Sequence, residues 1–214
     1  MRNLIIIATA LSAFALSCND EKKTDNTTVS TDTVATTKAA DEPYVPVDSA
    51  TMMKNRQAFM TPGEPHKMLA KNSGSWSEEL TMWMTPDAPP QKMTTTSQNK
   101  MILNGLYQQS IHKGSLNGMP FEGISTTGYD NIKKMFVSTW IDNMGSGIIY
   151  LEGPWDEATK SVNYKGTQSD VMTNKTIEVR QVWKIIDDNT HMLEMYETRG
   201  GKENKTMEIK SIKK

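Results

Sequence analysis

The sequence predicts an all-β protein: an up-and-down antiparallel β-barrel of about ten strands with a short N-terminal helical cap, preceded by a signal peptide and a disordered tether. Three observations lead there. From Gly74 onward, runs of β-forming residues alternate with turn signals at a steady interval. The connections Asn104-Gly105, Leu116-Asn117-Gly118, Asp187-Asp188-Asn189 and Gly200-Gly201 are short and rich in residues that tolerate positive φ, so sequential strands become antiparallel neighbours. A sheet of this many strands left open would keep two long unpaired edges, and closure removes both.

The chain divides into a signal peptide (1–17), a disordered tether (18–48), a helical cap (49–72) and a barrel domain (73–214). Arg2 supplies a positive start, Leu4 to Leu16 a short apolar core, and Ala15-Leu16-Ser17-Cys18 lies where cleavage would fall. That core is shorter than the roughly 20 apolar residues a membrane-spanning helix needs. Cys18 is the only cysteine, so no intrachain disulfide forms. The segment resembles a bacterial lipoprotein signal. The resemblance implies that Cys18 becomes the new N-terminus and carries a lipid such as palmitate, tethering the protein to the outer membrane of the cell envelope. Asn19, Asp20 and Glu21 after it resemble a surface-export signal. Asp32-Thr33-Val34 and Asp48-Ser49-Ala50 resemble Asp-Ser/Thr-apolar O-glycosylation sites.

Residues from Asn19 to about Asp48 are rich in Thr, Asp and Lys, with almost no large apolar residue before Tyr44. Such a run cannot bury enough surface to offset its chain entropy. Ser49 is expected to cap a helix to about Met60, with Met52, Phe59 and Met60 on one face, and Thr61-Pro62-Gly63 stops it. Pro65 opens a second short helix to Lys71 that places Met68 and Leu69 against the body, as a lid or as a packed cap.

Ten strands follow: Ser75 to Met84, Lys92 to Leu103, Leu106 to Lys113, Met119 to Gly128, Lys134 to Asp142, Gly147 to Gly153, Ser161 to Ser169, Lys175 to Ile186, His191 to Arg199 and Lys205 to Lys213. The clearest hairpin lies within Phe121 to Gly147, where two β-forming runs meet at Asp130-Asn131. In Lys175 to Ile186, the residues Ile177, Val179, Trp183 and Ile185 share one face, with Glu178, Arg180 and Lys184 on the other. In Lys134 to Asp142 both faces are apolar, as in a strand with a cap or ligand against it. Phe136, Trp140 and Asp142 form the expected inward face, with Tyr129 near the rim. Aromatic surface with one carboxylate suits ligand orientation, so these four are the candidate ligand-binding residues.

The composition narrows the function. Lys and Arg number 24 against 25 Asp and Glu, for a net charge of −1, so there is no electrostatic footprint for nucleic acid. The histidines, His66, His112 and His191, fall on separate elements without a metal-ligand or triad spacing partner, and each reads as a surface or cap residue. Glu78 and Glu79 are adjacent on a strand and point to opposite faces, so they make no catalytic pair. The glycines precede no helix and make no phosphate loop. No catalytic residue, cofactor or metal site is expected. The 16 methionines against 4 phenylalanines suit an adaptable core or cavity lining; Met82 and Met84, on one face, are the alternative soft-metal pair.

Gly74-x-Trp76, Asn104-Gly105-Leu106-Tyr107, Gly118-x-Pro120-Phe121-x-Gly123, Gly128-Tyr129-Asp130-Asn131, Trp140-Ile141-Asp142 and Met207-Glu208-Ile209 together resemble the bacterial domain of unknown function 1579 family, from about Glu64 to the C-terminus. The resemblance implies a lipocalin-like barrel and no established activity. The chain departs from the family pattern at Asn104, where glycine is usual, and at Ser211-Ile212-Lys213, which stands for a Tyr-Thr-Arg ending. By the same resemblance, Trp76 closes one barrel end beneath a cation of the last strand, here Lys213. The leading expectation is a membrane-tethered, non-enzymatic barrel binding a small, mostly apolar ligand. The alternative is an assembly protein whose barrel is filled by its own side chains, and an enzyme is third.

Overall fold

A computed structural model of the chain describes residues 44–85, 88–116 and 118–214. The expected signal peptide, Cys18, the Asp32-Thr33 site and nearly all of the tether lie outside these residues. Residues from Pro46 to Lys214 form one unit.

Helix α1 (Ser49–Met60) is capped by Asp48 rather than by Ser49: the Asp48 carboxylate accepts from the Ala50 and Thr51 amides at 2.9 and 3.0 Å. The shared Met52, Phe59 and Met60 face is half exposed and packs into no core. Instead, the Asn131 side chain donates to the carbonyls of Phe59 and Thr61, both at 3.0 Å, and so holds the end of α1. Helix α2 (Glu64–Lys71) buries Leu69 and His66. Its C-terminal carbonyls meet four barrel donors. Gln108 Nε2 reaches Leu69 O at 2.5 Å, Lys213 Nζ reaches Lys71 O at 2.8 Å, and Trp76 Nε1 and Asn99 Nδ2 reach Asn72 O at 2.9 and 3.2 Å. Carbonyls at a helix end lack intrahelical partners, and here they are satisfied from four strands. α2 is therefore a bound cap.

The strands are β1 (Gly74–Met82), β2 (Gln91–Ile102), β3 (Tyr107–Leu116), β4 (Met119–Asp130), β5 (Met135–Asp142), β6 (Ile149–Gly153), β7 (Trp155–Asp156), β8 (Ser161–Asp170), β9 (Lys175–Asp187), β10 (Thr190–Arg199) and β11 (Lys202–Lys213). Each pairs antiparallel with its sequence neighbour, except that β6 pairs with β8, and β1 pairs with β11 to close the ring. Ten strands make the closed barrel, all near the expected positions. The short β7, which the sequence reading missed, pairs only with β8. Pro154 separates it from β6, because proline has no N–H to give the ladder.

Asn104 takes φ 60° in the turn between β2 and β3. Asparagine is one of the few side chains that enter this region readily, so it serves in a turn where the resemblance implied glycine. In β5 the outer face is not covered: Ile141 is exposed and Val137 only partly buried, whereas Phe136 on the inner face is fully buried. The doubly covered strand expected there is thus covered on one side. Beneath α2 the core is Leu69, Phe136, Leu151, Val162, Tyr164, Val179 and Met195.

Candidate functional site

The core fills the α2 end and one wall, and the rest of the interior is a cavity of about 550 Å³. Leu69, Asn72 and Trp76 lie at its closed end. At the opposite strand ends lie Met82, Met84, Met93, Leu116, Phe121, Met144 and Met172. Met84, Met144 and Met172 are exposed, so this end is the mouth. The walls differ in chemistry. β2 to β5 contribute Thr95, Ser97, Ser110, Ser125, Thr127 and Ser138, whereas β1, β10 and β11 contribute Leu80, Leu193, Met195, Met207 and Ile209. Strand alternation alone brings these hydroxyls inside, since each sits at every second position of its strand.

The four candidate ligand residues separate into two pairs. Trp140 and Asp142 line the cavity, joined by a hydrogen bond from Trp140 Nε1 to Asp142 Oδ2 at 2.6 Å. Asp142 Oδ1 also accepts from the Met144 amide at 2.8 Å. Phe136 and Tyr129 belong to the packing under α2: their rings meet edge-on at 5.1 Å, and Tyr129 meets His66 at 6.0 Å. Neither lines the cavity. Gly123 makes the space for Trp140, because a Cβ there would lie 2.5 Å from the indole.

Two groups were missed by sequence reasoning. Glu78, buried at 4% exposure, accepts from Thr95 Oγ1 at 2.6 Å and lies 3.1 Å from His112 Nδ1. Burial alone would push its carboxyl up; the hydrogen bonds from His112, Thr95 and Ser97 and the attraction of His112 outweigh this and leave it below its ordinary value. His112 packs edge-on to Trp140 at 5.1 Å, and Trp140 lies near-parallel to Phe121 at 6.3 Å. These residues come from different strands, so no local spacing marks them; the available signal was inward parity, with Glu78 two residues after Trp76 on β1. The second group, at the mouth, is Asp170, Glu197, Arg199 and Gln168. Arg199 contacts Asp170 at 3.1 Å and Glu197 at 2.5 Å, and Gln168 Nε2 donates to Glu197 at 2.8 Å. Hydrogen bonds from Arg199 and Thr173 hold the Asp170 carboxyl down at about 2.

The reading of the histidines as surface or cap residues holds for His66, which lies in the cap, and not for His112 and His191, which lie in the barrel interior. His66 lies in the cap at 2% exposure, accepting from the Gly63 amide at 3.0 Å; His191 is 6% exposed, stacked on Trp76 at 4.5 Å and edge-on to Trp183 at 5.1 Å. Burial pushes the His191 imidazole down to about 4. Among the described residues, no group of three or more His, Cys, Asp or Glu is placed to hold a metal ion. Met82 and Met84 both line the mouth.

A closed ten-stranded antiparallel barrel, with a helix bound over one end and a cavity open at the other, is the lipocalin-like architecture. The profile of the family described as "Protein of unknown function (DUF1579)" matches residues 61–213, and the chain belongs to that family. Comparison with curated proteins gives no match.

Proposed function

We propose that the protein is a non-enzymatic binding barrel, tethered to the outer membrane through a lipid on Cys18, that holds one small, mostly apolar ligand. The cavity carries this reading. Its volume of about 550 Å³ falls within the range of roughly 300–1,000 Å³ typical of small-molecule sites, and its apolar wall and Met-rich mouth suit a pliant apolar body. The hydroxyl wall gives such a ligand a polar group to match. A barrel filled by its own side chains is disfavoured by the same volume, since close-packed interiors leave few voids larger than a water molecule.

A fluorescence titration of the full-length chain with N-phenyl-1-naphthylamine, a neutral apolar dye, tests the reading. Saturable enhancement at one site per chain is the expected result. A linear, non-saturating response would favour the filled barrel.

A further inference from the structure

The charged side chains lining the cavity are of nearly one sign. Among the described residues, Glu78, Asp142, Asp170 and Glu197 supply four carboxylates, Arg199 supplies one guanidinium, and no lysine lines the wall. Arg199 is already committed to Asp170 and Glu197 at the mouth. Among the described residues, Asp142 is the cavity carboxylate with no basic side chain paired to it, and Glu78 has His112 beside it.

Trp140 connects these acids: its N–H is held by Asp142, its ring meets His112, and its face is near-parallel to Phe121. An ionised carboxylate offers about four acceptor positions. Asp142 uses two of its own, on the Trp140 and Met144 N–H groups. Asn99 Oδ1 in the same wall is buried without a hydrogen-bond partner, a further acceptor. An anionic ligand here would meet carboxylates and the negative faces of aromatic rings; an ammonium group would find both favourable.

We infer that the cavity selects an organic cation: an ammonium head placed against Trp140, Asp142 and Glu78, with an apolar body along Leu80, Leu193 and Met207. This rests on the proposed binding function, because selection by charge presupposes that the cavity takes a ligand.

The test is calorimetric titration of the full-length chain with octylammonium, octanol and octanoate, which share a body and differ in the head. Octylammonium should bind at least about tenfold more tightly than octanoate, with octanol between them. Asp142→Asn and Glu78→Gln should each shrink the preference for octylammonium over octanoate. Asp142 lies near the mouth, so its variant remains informative if the buried Glu78→Gln chain fails to fold. Equal affinity for the three probes, or tightest binding of octanoate, would overturn the inference and leave the binding barrel standing. Binding of none would overturn both.

Discussion

Lys213 Nζ sits 5.6 Å from the centre of the Trp76 ring, across the β1–β11 pairing that closes the barrel, in which these two residues are direct partners. The same ammonium donates to Lys71 O, and the Trp76 N–H donates to Asn72 O, so the pair ties the seam to the end of α2. His191 stacks on the indole, leaving Trp76 1% exposed. Three elements meet at one side chain.

Trp76→Ala should therefore cost about 3–5 kcal/mol, as a large core truncation does. Lys213→Arg should be neutral or slightly stabilising, since a planar guanidinium stacks on indole better than an ammonium does. Thermal denaturation of the two variants checks both. An unchanged Tm in Trp76→Ala, with loss of dye binding, would make Trp76 a ligand contact and not a closure.

Acid should destabilise the fold through His191. Its imidazole is held neutral by burial, at about 4 against an ordinary 6.5, so below pH 6.5 the unfolded chain takes up a proton that the folded chain refuses. Stability must then fall as pH drops from 6.5 to about 4, by on the order of 3 kcal/mol in total. Asp170 acts in a lower window: its depressed carboxyl contributes stability above 3.8 that is lost as pH falls toward about 2. Urea midpoints across this range should show the upper window flattened in His191→Gln. An identical slope in that variant would remove His191 from the account.

Gly123→Ala should displace Trp140. The new Cβ would stand 2.5 Å from the indole edge, and relieving that overlap costs about 1–3 kcal/mol and pulls the ring away from Asp142. A lower Tm with altered tryptophan fluorescence is expected. Wild-type values for both would mean that Trp140 is not held against that wall.

Cys18→Ser should release the protein from membranes or leave it uncleaved, and limited proteolysis should trim residues up to about Asp48 to a stable core. Correctly cleaved Cys18→Ser protein that still fractionates with membranes would contradict the lipid tether.

The barrel was legible because turn residues and β-forming runs are local signals: Asn104-Gly105 and Gly200-Gly201 mark strand ends wherever the strands go. Trp140 and Asp142 were legible by parity on one strand. The Glu78–His112 pair was not, because it is made by residues 34 positions apart on β1 and β3, with β2 between them. Parity also placed Phe136 inside with Trp140, but could not say that four residues along the strand separate the packed end from the hollow one. The Met52 and Phe59 stripe of α1 was misleading: helical spacing shows that residues share a face, not that anything covers it.

The proposed binding function requires that the hollow of this barrel be occupied in the cell. Native mass spectrometry of the protein purified from its own host tests it most directly. The expected result is a discrete mass above that of the processed chain, lost on denaturation and depleted in Asp142→Asn. A bare chain mass in both, with no saturable uptake of added dye, would contradict it.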